Sequence, residues 1–204
     1  MAPDRLTPAA LGFSPHSGWA AAVCLVGPVA SPVVVERRRV LLTSAPLPRE
    51  PYHLAKRSEG KQAREIVADA ADEARTLAAA TIADLSSSVA VRGYEVVASG
   101  VISGRGRPDF TLQQALSTHA SMHNAEGWLF REALLQAGRE AEVSITAVPP
   151  DAVYAETAAA VGISAPEIET RIRELGVDLG PPWSKDEKLS SAVAWLALAR
   201  AQHL

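Results

Sequence analysis

Three short apolar runs, each closed by turn chemistry, come before any helical period, and that order limits the fold more than any other feature of the chain. "AALGF" (9–13) runs into "SPHSG" (14–18), where Pro, Ser and Gly cluster. "WAAAVCLVG" (19–27) follows, then a second turn in "GPVASP" (27–32). "VVVERRRVLLT" (33–43) is β-branched and partly alternating, which reads as a third strand. The first two runs suggest a hairpin, and the three together a meander. Arg37, Arg38 and Arg39 put charge on both faces of the third strand, which an edge position tolerates.

The period then changes. The proline-rich "SAPLPREPYH" (44–53) is expected to be extended or loop. Over 60–86, Ile66, Ala70, Ala74, Leu77, Ile82 and Leu85 recur near every 3.6 residues in an alanine-rich stretch, predicting a long helix. "YEVVASGVIS" (94–103) reads as a strand and "GRGRPD" (104–109) as a loop. Thr111 and Gln114 form a T-x-x-Q capping box that opens a long helix expected to end at Gly138. "AEVSITAVPP" (141–150) is a strand stopped by prolines. Short helices follow at 151–161 and from Ser164 to Leu175, then a loop at 176–183. Ser184 and Glu187 form another capping box before a last helix over 185–200. Strands and helices alternate after the meander, so an α/β fold is expected: a mixed sheet with helices on both faces.

At 204 residues this is one domain, 1–204, with a loose terminus over 1–8. A net charge of −3 gives no global electrostatic reason to bind nucleic acid, so such a partner is possible but unsupported by charge. The single cysteine, Cys24, excludes an internal disulfide and a multi-cysteine zinc site. No run is long enough to span a bilayer. Asp4 and Arg5 cancel, and Pro3, Pro8 and Pro15 break the segment before the apolar run, which argues against a signal peptide. The expectation is a cytoplasmic protein with no membrane partner.

The helix over 111–137 carries an anomaly. One face reads Leu112, Leu116, His119, His123, Glu126, Phe130, Ala133 and Ala137. Two imidazoles and a carboxylate therefore stand in register with apolar residues, and buried polar groups need partners. One reading is structural: the side chains bond backbone carbonyls, or this segment faces a solvent cleft. The other is a pocket. His-x₃-His on one helical face is a metal-binding spacing, although the glutamate of HExxH is missing. Glu126 is then a third ligand or the group that orients an imidazole. Without a metal the same groups can act as an acid–base pair.

Other candidates are weaker. Arg105 and Arg107 flank Gly106 just before a helix start, where an anion can bind, although such a loop is also plain linker. Asp186 and Glu187 complement the last helix's dipole, and Asp186 is also a candidate metal ligand. Ser14 and Ser17 lack the nucleophile-elbow pattern of serine hydrolases. Trp128, Trp183 and Trp195 read as packing groups, with "GPPW" (180–183) as a cover over a helix end.

The order of elements, with "GFSPHSGWAA" (12–21), "TAVPP" (146–150) and "KDEKLSSAVAWLALAR" (185–200), resembles the ribonuclease H-like superfamily, and within it Holliday-junction resolvase-like proteins. Members open in the style "GIDPGSRTGY" and continue the last helix as "ADALALAL". The resemblance covers nearly the whole chain by element order. It implies a mixed five-stranded sheet, a three-strand meander plus two parallel strands. It also implies the turn after strand one near the helix after strand four, bringing His16 toward His119, with His53 able to approach. The family's chemistry implies carboxylates holding two divalent metals. Here Ser14 stands at the first-strand aspartate position, and "VVASGVIS" (96–103) holds no acid. The last helix has Asp186 and Glu187, with Leu189 or Ser190 one turn on. Two-metal cleavage is therefore not implied. The expected function is a divergent member with a pocket of His16, His119, His123 and Glu126, with His119, His123, Glu126 and Asp186 as possible ligands of a divalent metal, and hydrolytic if it is an enzyme. The alternative is a non-catalytic pseudo-nuclease that binds nucleic acid or protein.

Overall fold

Alternation decides how the opening strands pack. In the computed structural model, which describes residues 6–104 and 110–202, β1 (Thr7–His16) sends Ala9, Leu11 and Phe13 to one face of the sheet and Ala10 to the other. β2 (Trp19–Val26) divides in the same way, Ala20, Ala22 and Cys24 against Val23 and Leu25. Gly18, at φ 77°, closes the tight turn between them, with His16 paired to Trp19. β3 (Val33–Leu41) completes the meander. The expected loose terminus over 1–8 is corrected at its inner end. Thr7 and Pro8 already pair with Tyr94 and Glu95.

The sheet order is β3-β2-β1-β4-β5, with β4 at Tyr94–Ile102 and β5 at Ser144–Val148. β1, β2 and β3 are antiparallel neighbours, and β1–β4 and β4–β5 are parallel. This is the expected meander plus two parallel strands. β3 lies at the edge, and its arginines divide their work. Arg37 donates to the carbonyls of Leu179, Gly180, Pro181 and Pro182. Arg38 pairs with Glu36 and Asp84, and Arg39 lies over the Trp19 ring.

Helices cover both faces. One layer holds α1 (Pro51–Lys56), α2 (Gly60–Ala90), α3 (Leu112–Ala115) and α4 (His119–Glu140). The other holds α5 (Val153–Val161), α6 (Ala165–Leu175) and α7 (Lys185–Gln202). α7 is buried all round from Leu189 to Ala199, the mark of a core helix. It lies almost against bare backbone. Gly12 and Gly100 are register partners on β1 and β4. A Cβ on Gly12 would come within 1.9 Å of the Ser190 carbonyl, and one on Gly100 within 2.4 Å of the Val193 carbonyl. Trp183 packs on Gly176 just beyond α6 and donates its indole N–H to the Ile172 carbonyl, so the expected cover over a helix end is present.

Three expectations about helices need correction. The proline-rich segment is not all loop. Pro51 takes the first turn of α1, where its missing N–H costs nothing, and Tyr52 and His53 are helical. The helix over 111–138 is two helices. The Thr111–Gln114 capping box is present but opens only α3. Thr118 then caps α4 by accepting from the Ser121 N–H at 3.0 Å. Gly138 is not a stop signal, because α4 continues to Glu140. Gly138 is buried against β5, where a Cβ would meet Ile145 at 2.2 Å.

Candidate histidine–carboxylate site

The break at 116–118 sets the site. His119 becomes the first residue of α4, and His123 and Glu126 follow at one-turn intervals on the same side. Leu112 and Leu116 belong to the preceding segment and do not extend that face. α1 packs across α4 and brings in His53. The ring contacts then close a circuit. His53 Nδ1 lies 2.8 Å from Glu126 Oε1, and His53 Nε2 lies 3.1 Å from His119 Nδ1. His119 Nε2 lies 2.9 Å from His123 Nε2, and His123 Nδ1 lies 3.5 Å from Glu126 Oε2.

Burial is graded across this circuit. The Glu126 side chain is 0% exposed, His53 17% and His123 46%. Glu126 thus sits at the floor and the imidazoles rise toward solvent. Its Oε1 also accepts from the His53 backbone N–H at 3.3 Å, while Oε2 has no hydrogen-bond partner among the described residues. Tyr52 beside it is shifted above the ordinary phenol range by burial and then by the Glu126 charge. A buried carboxylate without full compensation costs several kcal/mol. An open cleft of about 530 Å³ borders His53, lined also by Ser17, Arg49, Glu50 and Arg57 and not by His119, His123 or Glu126.

This arrangement can hold an imidazole in one tautomer. A carboxylate on His53 Nδ1–H leaves the lone pair on Nε2, which a general base needs, and that nitrogen faces His119 Nδ1 at 3.1 Å. It also gathers nitrogen donors. One ligand atom each from His53, His119 and His123 lies within 4.8 Å of the others.

His16 does not join this group, contrary to expectation. Its Nε2 pairs with Asp186 Oδ1 at 2.9 Å, and its ring stacks on Trp19 at 4.3 Å with 10° between planes. Ser14 Oγ donates to the same Asp186 oxygen at 3.3 Å. Asp186 is therefore in a second cluster, at the end of β1 and the start of α7, and not beside His119 and His123. Arg105 and Arg107 lie outside the described residues. His53 is the member that spacing on α4 could not reveal. Its only local signal is the helix start at Pro51.

No family model matches the chain, and no curated protein matches it. Among solved structures, RuvC of Thermus thermophilus in complex with a Holliday junction substrate aligns at TM-score 0.54 and 17% identity, over 96% of this chain and 95% of that one. A second Thermus thermophilus RuvC structure aligns at TM-score 0.54 and 14% identity, over 96% of each chain. The fold is ribonuclease H-like and RuvC-like. On this RuvC-like scaffold the β1–α7 cluster holds Ser14, His16 and Asp186. Glu187 is turned back to the Ser184 N–H at 2.8 Å, and 100–103 of β4 and its end carry no acid. Two divalent ions need several fixed carboxylate oxygens. One carboxylate already bonded to a serine and a histidine does not fit that requirement.

Proposed function

We propose that the chain is a hydrolase on a ribonuclease H-like scaffold, working through the histidine–carboxylate site of α1 and α4 and not through a two-metal nuclease centre. The observation that carries this is the fully buried Glu126 holding His53 Nδ1 at 2.8 Å. Glu126 fixes the tautomer, and His53 Nε2 accepts a proton from the attacking water. His119 and His123, both exposed, offer the nearest groups to return a proton to the leaving atom. The cleft beside His53 is the approach for substrate.

The test is a panel of chromogenic carboxyl esters, phosphate monoesters and phosphate diesters, run on wild type, Glu126→Gln and Asp186→Asn. Hydrolysis lost in Glu126→Gln and kept in Asp186→Asn supports the proposal. The reverse pattern moves the chemistry to the β1–α7 cluster and overturns it.

A second reading is favoured by one observation, a RuvC structure solved with a Holliday junction. In it the scaffold retains a nucleic-acid groove without cleavage. Salt-sensitive binding of a four-way junction, weakened in Arg105→Ala with Arg107→Ala, supports this second reading. Binding that is absent at low salt removes it.

A further inference from the structure

The four contacts of the circuit do not have enough protons. Three are hydrogen bonds that each take one proton, His53 to Glu126, His53 to His119 and His119 to His123, and the fourth, His123 Nδ1 to Glu126 Oε2 at 3.5 Å, makes no hydrogen bond and would take one more proton to close. Three neutral imidazoles carry three N–H groups, and an ionised carboxylate carries none. If His53 and His123 both donate from Nδ1 to Glu126, both of their Nε2 lone pairs face His119. That ring has one N–H, so one nitrogen is left facing nitrogen. If His123 instead donates from Nε2, its Nδ1 lone pair faces Glu126 Oε2, the buried oxygen without a partner. With three neutral imidazoles and an ionised Glu126, either Oε2 stays without a donor or two bare ring nitrogens face each other, and in both cases the carboxylate's charge is unbalanced.

We propose that His53, His119 and His123 bind one divalent cation of the Zn²⁺ class, with Glu126 as the carboxylate that orients two of the ligands. The cation takes the Nε2 lone pairs of His53 and His123 and one nitrogen of His119. Both Nδ1–H groups then point at Glu126, one on each oxygen. The donor set is all imidazole, which selects a borderline transition metal over Mg²⁺ or Ca²⁺. Tetrahedral Zn²⁺ with Zn–N of about 2.1 Å places ligand nitrogens about 3.4 Å apart. His53 Nε2 lies 3.1 Å from His119 Nδ1 and His123 Nε2 lies 2.9 Å from His119 Nε2, so His119 must turn to commit one of these two nitrogens; one ligand atom of each ring already lies within 4.8 Å of the others. Three protein ligands leave the fourth position for water, on the side where His119 and His123 are exposed. This inference rests on the reading that the α1–α4 cluster is the working site and changes one part of it: with the cation bound, His53 Nε2 is a ligand and not the base, and the cation would acidify the water in the fourth position while supplying the positive charge that the buried carboxylate lacks.

The full chain, stripped with chelator and returned to Zn²⁺ or Co²⁺, tests it by metal content after gel filtration and by the visible absorption of Co²⁺. One metal per chain with a tetrahedral Co²⁺ band is expected. His123→Ala and His119→Ala change exposed side chains and should retain the fold by circular dichroism. Each should weaken binding by more than 100-fold. Glu126→Gln keeps all three ligands and should weaken it by about 10- to 100-fold, while Asp186→Asn should leave it unchanged. Metal below a tenth of an equivalent at micromolar Zn²⁺ overturns the proposal. So does binding that survives in His123→Ala, or that is lost in Asp186→Asn instead. The assays of hydrolysis fail separately: one tightly bound metal with no hydrolysis sinks the hydrolase reading alone, and Glu126-dependent hydrolysis by protein that takes up no Zn²⁺ or Co²⁺ sinks the metal site alone.

Discussion

Two carboxylates lie against histidines in this molecule, and they are treated in opposite ways. Asp186 meets His16 Nε2 and the Ser14 hydroxyl on one oxygen, and its side chain is 26% exposed, so water can serve the rest. Glu126 is completely buried, and one of its oxygens has no partner among the described residues. The first cluster lies at the β1–α7 end of the scaffold and is locally satisfied. The second lies between two helices and is short of positive charge. An incompletely compensated buried acid persists in a fold only when something else offsets its cost, and function is the usual reason.

The largest expected contrast is catalytic. Glu126→Gln should lower hydrolysis by about 100-fold or more, the range of a lost general-base arrangement. Asp186→Asn should change it by less than about 3-fold, against the same 100-fold scale. Next comes ligand-linked stability. Zn²⁺ at a hundred times its dissociation constant adds about 2.7 kcal/mol. For a chain of this size that raises Tm by roughly 5–10 °C, and a thermal scan of His123→Ala should show no such rise. Urea unfolding of the metal-free protein should separate the clusters by a smaller margin. Glu126→Ala strands the His53 Nδ1–H in a closed site and should cost about 1–3 kcal/mol. Asp186→Ala removes a half-open pair and should cost about 1 kcal/mol or less.

A third carboxylate calibrates the comparison. Burial pushes Glu36 up, but hydrogen bonds from Arg38 and Ser88 and the charges of Arg38 and Arg92 prevail and hold it below the ordinary range. Its folded pKa is depressed. It therefore stabilises the protein above the unfolded value of about 4.3, and that stability disappears as pH falls through the folded value. Glu36→Gln should flatten the acid limb of the stability curve below pH ~4.3 and leave the neutral region lower. An unchanged acid limb would show that the arginine contacts do not hold in solution.

The sheet was legible because run order and alternation are local properties. "AALGF", "WAAAVCLVG" and "VVVERRRVLLT" declare a meander without any tertiary knowledge, and β4 and β5 follow from helices placed between them. The break between α3 and α4 was not legible. Leu112 and Leu116 continue the period straight through Ser117 and Thr118, and a Thr before His119 reads equally as helix interior or as cap until the backbone turns. His53 was named only through the resemblance, as able to approach, and its place on a helix was hidden for a similar reason, since Pro51 opens a helix as readily as it ends a loop. The His16–Asp186 pair joins residues from opposite ends of the chain, and nothing in local spacing encodes it.

The contact of α7 with Gly12 and Gly100 has a consequence for synthesis. Ala10, Val23 and Leu25 face the side that the eighteen residues of α7 cover. A ribosome must therefore pass Lys185–Gln202 before that side has its cover, and a chain stopped ahead of Lys185 is expected to bind a hydrophobic dye and call on chaperones.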